Sequence, residues 1–119
     1  MKVIIAGGRD FDNFKLLERK CNQILKIRLL SKGGITIVSG DAWGADYLGA
    51  KYARKYDLNV KHFPADWKTN GKAAGPLRNE EMAEYADALI AFWDGKSRGT
   101  ADMIQRAKDH GLKLRIIKY

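Results

Sequence analysis

Short apolar runs and amphipathic helical stretches alternate along the whole chain, and this alternation constrains the fold more than any other feature of the sequence. The apolar runs have the length and apolar, largely β-branched composition of buried strands, and the stretches between them carry apolar residues at helical spacing. The predicted strands cover residues 2–6, 35–38, 59–63, 88–93 and 112–118. The predicted helices cover residues 14–31, 42–56, 76–85 and 100–109.

Strands that alternate with helices in this way are typical of a parallel sheet covered by helices on both faces. Right-handed crossovers then produce a doubly wound, Rossmann-like α/β fold with about five strands and about four helices. The chain has 119 residues, a length that suits one domain. We therefore expect residues 1–119 to form a single domain of this type.

The composition excludes several classes of protein. The longest apolar run has about six residues, whereas a membrane-spanning helix needs roughly 20. The apolar run at the start of the sequence is too short for a signal peptide. Cys21 is the single cysteine, so neither an intrachain disulfide nor a zinc site built on several cysteines can form. We therefore expect a cytoplasmic protein without a membrane partner.

The chain is basic, with 22 Lys and Arg against 14 Asp and Glu and a formal net charge of +8. This surplus favours anionic partners, among which nucleic acids, nucleotides and phosphorylated metabolites all fit. The simpler interpretation is a solvated basic surface, because charged side chains are mostly exposed. The charge alone therefore does not identify a partner.

Three polar, glycine-rich segments, residues 7–11, 39–46 and 94–100, each join a predicted strand to the next helix. Ligands of doubly wound sheets bind beyond the carboxyl ends of the strands, and N–H groups at helix N-termini favour phosphate. A tight turn would explain any one segment, but the three together predict an anion site. The predicted ligand-binding residues in these segments are Gly7, Gly8, Arg9, Asp10, Ser39, Gly40, Gly44, Asp46, Gly95, Ser97, Arg98, Gly99 and Thr100.

Two common nucleotide-binding fingerprints are absent from these segments. The sequence contains no Gly-x-x-x-x-Gly-Lys-Ser/Thr motif, and the glycine-rich segments do not match Gly-x-Gly-x-x-Gly. We therefore expect neither an ordinary ATPase nor an NAD-dependent dehydrogenase.

Charged residues near predicted helix starts are further candidates. Arg78 and Asn79 follow a Gly-Pro turn, and arginine is suited to bidentate phosphate contacts. Asp41 is a candidate cap for the second helix, while Asp46 is a candidate site residue. The two carboxylates could together hold a Mg²⁺ bound to phosphates; no other metal site is predicted.

Three tryptophans are unusual in so short a chain. Trp43 and Trp93 lie in or beside the predicted ligand loops, where each could stack on a base or cover the sheet. Trp67 lies in the polar segment 66–72, which could act as a lid.

Four segments in this order resemble the SLOG superfamily, named for the DNA-processing Smf proteins and the Lonely Guy cytokinin-activating enzymes. They are residues 4–11 (IIAGGRDF), 40–46 (GDAWGAD), 74–82 (AGPLRNEEM) and 92–100 (FWDGKSRGT). The best match is the small YspA, cpYpsA-related branch of bacteria and phages. The resemblance spans nearly the whole chain and implies a Rossmann-like fold that binds nucleotides or nucleotide-derived ligands between the loops.

The resemblance also implies roles for individual residues. By position, Gly8 and Arg9 would line the first loop, Gly40, Gly44 and Asp46 would shape the second, Arg78 and Asn79 would face the ligand, and Gly95, Ser97, Gly99 and Thr100 would hold phosphate.

One departure bears on catalysis. Lonely Guy enzymes carry a Gly-Gly-x-Gly-Thr-x-x-Glu motif and pair its Glu with an Arg on the preceding helix. Arg78 matches that Arg, but Met103 stands in the position of the Glu. A thioether cannot supply the carboxylate that glycosidic cleavage uses, and Asp102 lies about 100° around the helix, where we expect it to point elsewhere. The sequence thus favours binding without turnover.

Three functions remain open. The first is binding of a nucleotide, an ADP-ribose-like ligand or a cyclic nucleotide, as a sensor or sequestering module. The second is hydrolysis of an N-glycosidic or phosphate bond, with Asp46, Arg78 and Asp94 as candidate catalytic residues. The third is binding of single-stranded DNA, as in the Smf proteins, which the net charge of +8 supports. A homodimer is also expected from the resemblance, since SLOG relatives often dimerise.

Overall fold

The computed structural model describes residues 1–30 and 34–119, and side chains from residue 27 to residue 30 are not described. Within these residues the chain forms five strands, five α-helices and one 3₁₀ turn. The strands are β1 (Lys2–Gly7), β2 (Thr36–Ser39), β3 (Asn59–His62), β4 (Ala88–Trp93) and β5 (Lys113–Lys118). The helices are α1 (Phe14–Leu30), α2 (Ala45–Lys55), α3 (Trp67–Asn70), α4 (Ala74–Tyr85) and α5 (Arg98–Asp109).

The five strands form one parallel sheet in the order β3-β2-β1-β4-β5. The chain runs outward from β1 through β2 to β3 and then crosses back to β4, on the other side of β1. The predicted doubly wound, Rossmann-like α/β fold is therefore confirmed, with four long helices and the single-turn α3. The order reverses between β1 and β4, where such sheets have their ligand crevice.

The core has two apolar layers, one on each face of the sheet. Val3 and Ile5 of β1 belong to one layer, together with residues of α1 and α2. Ile4 and Ala6 belong to the other, which includes Met103 and other residues of α4 and α5. Because β1 is buried on both faces, its sequence is a continuous apolar run rather than an alternating one.

Several element boundaries differ from the predicted ones. Helix α2 begins at Ala45 rather than at residue 42, because Asp41 and Gly44 have φ angles of 60° and 81°, which a right-handed helix does not accept. The polar segment 66–72, for which no helix was predicted, contains α3, because the Asp66 side chain accepts a hydrogen bond from the Thr69 N–H at 3.1 Å and caps this turn. The predicted end of the first helix, at residue 31, lies outside the described residues.

No helix in the described part of the chain has both the length and the apolar character needed to cross a bilayer.

Candidate functional site

A cleft with a volume of about 730 Å³ opens beyond the carboxyl ends of β1 and β4. This position is the topological switch point of the sheet, and the volume lies within the range of about 300–1,000 Å³ typical of small-molecule sites. The loops after β1 and β4 and the first turns of α4 and α5 form most of its wall. The predicted residues that line it are Gly7, Arg9, Asp10, Asp46, Arg78, Asn79, Asp94, Ser97, Arg98, Gly99 and Thr100.

The loop before α5 is held by a carboxylate and ends in a capped helix. One Asp94 carboxylate oxygen accepts hydrogen bonds from the Lys96 and Ser97 N–H groups, both at 2.8 Å. These backbone bonds lower the pKa of Asp94. The Ser97 hydroxyl in turn accepts a bond from the Thr100 N–H. Because N–H groups of a first helical turn have no intrahelical acceptor, this end of α5 can bind an anion.

Arg78 on α4 is held in place by two neighbours. Its Nε donates to the Asn79 side-chain oxygen at 3.0 Å, and a terminal nitrogen donates to the Gly40 carbonyl oxygen. A Cβ added to Gly40 would lie 2.6 Å from that nitrogen, so the close approach of Arg78 depends on glycine. Since a guanidinium has five N–H donors, the two bonds leave three for a ligand.

Asn79 and Asp102 link α4 to α5 behind this arginine. Asn79 is 6% exposed, and its amide nitrogen donates to an Asp102 carboxylate oxygen at 2.9 Å. Arg106 Nε donates to the same oxygen at 2.9 Å. Asp102 lines the cleft, so the expectation that it points elsewhere is wrong: contacts with α4 and along α5 position its carboxylate. Met103 also lines the cleft and is buried in the second apolar layer.

Asp46 is a buried carboxylate in the wall of the cleft, in the first turn of α2. It is 5% exposed, and burial raises its pKa from the usual 3.8 to about 6, although Arg78 and Arg9 oppose the increase. A carboxyl group with a pKa near neutrality can exchange a proton at physiological pH.

Asp41 has a different role from the predicted one. It does not cap α2, whose N-cap position is Gly44 without a side-chain bond. Instead an Asp41 carboxylate oxygen lies 2.6 Å from Nδ1 of His62, at the end of β3. Among residues 1–30 and 34–119, no three His, Cys, Asp or Glu side chains are grouped closely enough to hold a metal ion.

Some predicted site residues lie beside the cleft rather than in its wall, namely Gly8, Ser39, Gly40, Gly44 and Gly95. The Gly8 carbonyl oxygen accepts a hydrogen bond from the Ala45 N–H at 3.2 Å. A Cβ on Gly44 would lie 2.2 Å from the same oxygen, so this glycine lets the loop after β1 contact the start of α2. Ser39 is buried, and its hydroxyl donates to the Asp46 carbonyl oxygen at 3.4 Å.

A second, smaller groove of about 280 Å³ adjoins the cleft. It is lined by Arg9, Gly40, Asp41, Ala42, Trp43, Pro64, Ala65, Trp67 and Arg78. The sequence suggested base stacking for Trp43 and a lid for the segment that contains Trp67. It did not indicate the groove, since its walls come from segments distant in the chain. Trp93 instead donates from its indole nitrogen to the Ser97 carbonyl oxygen at 3.0 Å and packs against the second apolar layer.

Apolar and small residues of the cleft wall were not identified from the sequence. They are Ala6, Ala42, Gly75, Pro76 and Met82. None carries a side-chain group that signals ligand chemistry, so only the path of the chain reveals them.

The likeness to known proteins agrees with this architecture. DNA processing protein A from Helicobacter pylori, described for its single-stranded DNA binding mode, superposes with a TM-score of 0.63 at 19% sequence identity. The match covers 98% of this chain but only 64% of that protein chain, and it supports the Rossmann-like fold.

Sequence comparisons identify the family. The Gene 61 protein of Mycobacterium phage D29 is 39% identical over 120 residues, which cover 95% of this chain and 93% of the phage protein. The family model described as YspA, cpYpsA-related SLOG family matches residues 1–69. The resemblance inferred from the four sequence segments is confirmed, and the chain belongs to the YspA, cpYpsA-related SLOG family.

Proposed function

We propose that the protein binds a nucleotide or nucleotide-derived ligand in the cleft, as a sensor or sequestering module. The observation that carries this proposal is that the capped start of α5 and the fixed guanidinium of Arg78 border one cleft at the switch point of the sheet. Both groups are suited to bind phosphate, the first through backbone N–H groups at a helix N-terminus and the second through a charged side chain. An ADP-ribose-like ligand and a cyclic nucleotide both offer phosphate groups to them.

The charges of the cleft favour an anion more than a count of its residues suggests. Arg9, Arg78 and Arg98 line it. Among the carboxylates, Asp94 is bonded to two backbone N–H groups. Asp102 is paired with Arg106. Local partners therefore offset part of the negative charge of these two carboxylates, and the three guanidinium groups can attract a phosphate.

Binding without turnover fits the state of the carboxylates. Besides those of Asp94 and Asp102, the Asp10 carboxylate is also engaged, since it accepts a hydrogen bond from the Tyr119 hydroxyl at 2.7 Å. Asp46 is the carboxylate whose burial and raised pKa favour proton transfer. Hydrolysis of an N-glycosidic or phosphate bond is therefore the second candidate function, and it depends on Asp46.

Binding of single-stranded DNA is the third candidate. It is supported by the structural likeness to a protein described for binding single-stranded DNA and by the net charge of +8. The cleft chemistry is compatible with it, because a strand end also presents a nucleotide with phosphate.

The test is a thermal-shift and calorimetric titration with AMP, ADP-ribose, NAD, cyclic di-AMP and a 15-residue deoxyadenylate strand. We expect at least one of them to raise the melting temperature. Arg78→Gln should weaken its binding by about tenfold or more, because hydrogen bonds to charged groups contribute about 1.5–3 kcal/mol. Arg54→Gln, at the exposed end of α2, removes the same charge away from the cleft and should leave binding unchanged.

Chromatography of each mixture separates binding from hydrolysis. A ligand recovered intact supports the sensor or sequestering function, whereas recovery of base plus sugar phosphate, or loss of a phosphate, supports the enzyme. If no compound raises the melting temperature, or if Arg78→Gln binds as tightly as the unaltered protein, ligand binding in this cleft is ruled out.

A further inference from the structure

The cleft and the smaller groove lie side by side. They share Arg9, Ala42, Trp67 and Arg78 in their walls. A ligand in the cleft therefore lies next to the groove, with the guanidinium groups of Arg9 and Arg78 at the border between the two cavities. The shared residues include both charge and an aromatic face, which are the two components that protein sites use to hold linked nucleotides.

Two indoles line this groove without being part of the core. Trp43 is 76% exposed and Trp67 is 51% exposed. Their combined exposure is unusual because tryptophan is highly buried on average. The Trp43 ring lies 5.9 Å from that of Tyr47, centroid to centroid. Trp67 is the first residue of α3, and its ring lies close to Gly75 in the first turn of α4.

We propose that the groove is a second base-stacking subsite, so that the ligand has two linked nucleotide units. The first unit would place its phosphate at α5 in the cleft. The phosphate between the units would lie at Arg9 and Arg78, where the cavities meet, and the second base would stack on Trp43. This deepens the proposed function and rests on it.

The two cavities differ in their lining residues, so substitutions can test the subsite separately from the cleft. Trp43 lines the groove alone, whereas Trp67 lines both cavities. Loss of the Trp43 ring should therefore affect a second nucleotide unit only. Loss of the Trp67 ring should affect one-unit and two-unit ligands alike.

The experiment compares deoxyadenosine monophosphate with the 5′-phosphorylated dinucleotide pdApdA by calorimetric titration. We expect the unaltered protein to bind the dinucleotide about tenfold more tightly or better. Trp43→Ala should weaken dinucleotide binding by about 5- to 150-fold, the range for loss of one base–aromatic stack, and leave mononucleotide binding unchanged. Trp43→Phe should retain most of the dinucleotide affinity, since it keeps an aromatic face.

Leu77→Ala is the control, because Leu77 is a similarly exposed apolar residue, at 47%, that lines neither cavity. A 15-residue deoxyadenylate strand distinguishes the two sources of a two-unit ligand: tighter binding than pdApdA identifies a polynucleotide, and equal binding identifies a free dinucleotide. Either result supports the subsite.

Two outcomes overturn the inference. One leaves the proposed function intact, and the other rejects it as well. If the mononucleotide binds and the dinucleotide binds no more tightly, or if Trp43→Ala changes nothing, the subsite is rejected and the proposed function stands. If neither compound binds, the subsite and nucleotide binding in the cleft are both rejected.

Discussion

At the scale of single residues, the buried carboxyl group of Asp46 is the most distinctive feature of the cleft. Its side chain is almost fully enclosed, and the Ala42 N–H at 3.4 Å is a weak donor to it. Burial therefore dominates over Arg78 and Arg9 and raises its pKa to about 6. Such a group reduces the stability of the folded chain at neutral pH, a cost that proteins tolerate at functional sites.

The raised pKa of Asp46 predicts a pH-dependent effect of Asp46→Asn. Between about pH 4 and pH 6 the folded state retains a proton at this group that the unfolded state releases, so its contribution to the free energy of unfolding falls as pH rises. Because Asn cannot ionise, the variant should gain stability over the unaltered protein across that window, by up to about 3 kcal/mol at pH 7. Urea unfolding at pH 4, 5, 6 and 7 measures the difference.

Asp94→Asn is the control with the opposite sign. The lowered pKa of Asp94 stabilises the folded state above the usual pKa, and that contribution is lost as pH falls. This variant should therefore lose stability at pH 7 and approach the unaltered protein in acid. A pH-independent difference for Asp46→Asn would show that Asp46 is not buried as described.

At the scale of elements, the start of α5 combines a structural role with the phosphate-binding role proposed above. The Ser97 hydroxyl lies 3.2 Å from the Thr100 hydroxyl and accepts from the Thr100 N–H. The residue that ends the loop thus also orients the first helical turn toward the cleft. Secondary structure and the proposed phosphate contact depend here on the same side chain.

Ser97→Ala should lower the free energy of unfolding by about 1 kcal/mol, the usual cost of losing an N-cap. It should also weaken the binding of phosphate-containing ligands, because the N–H groups of the first helical turn become less fixed. Lys96→Ala changes an exposed neighbour in the same loop and should leave the free energy of unfolding unchanged. Denaturant unfolding and titration of both variants check this, and equal stability of Ser97→Ala and the unaltered protein would contradict the capping role.

At the scale of the whole molecule, the net charge of +8 permits two kinds of strand binding that salt can separate. Binding confined to the cleft uses Arg9, Arg78 and Arg98, hence about three phosphates. Each single-strand phosphate contributes about −0.7 to the slope of log K against log salt, so three contribute about −2. Diffuse binding over the basic surface would involve more phosphates and a steeper slope.

We therefore expect a slope of about −2 for a 15-residue deoxyadenylate strand, shallower by about 0.7 in Arg78→Gln. Fluorescence anisotropy at a series of salt concentrations measures both. A much steeper slope that Arg78→Gln leaves unaltered would assign the strand to the general basic surface.

The local pattern of the sequence determined the fold class and the edge of the sheet at which the polar loops meet. Burial imposes apolar periodicity on each strand and helix, so the five strands could be recognised within a few residues. Parallel strands then place their carboxyl ends together, and this rule alone brought Arg9, Arg98 and Thr100 to one edge. The turn that α3 forms at Trp67 was missed, because its polar composition resembles that of a loop.

Only the tertiary structure decided which side chains turn into the cleft and which support it. Asp102 is held in the wall by Asn79, 23 residues away. Asp46 is buried beside the loop after β2 and Arg78 of α4. Ser39 was predicted to contact a ligand but is enclosed. The position of the groove beside the cleft at Trp67 likewise depends on several distant segments. These features depend on contacts between residues far apart in the chain, and local periodicity does not record such contacts.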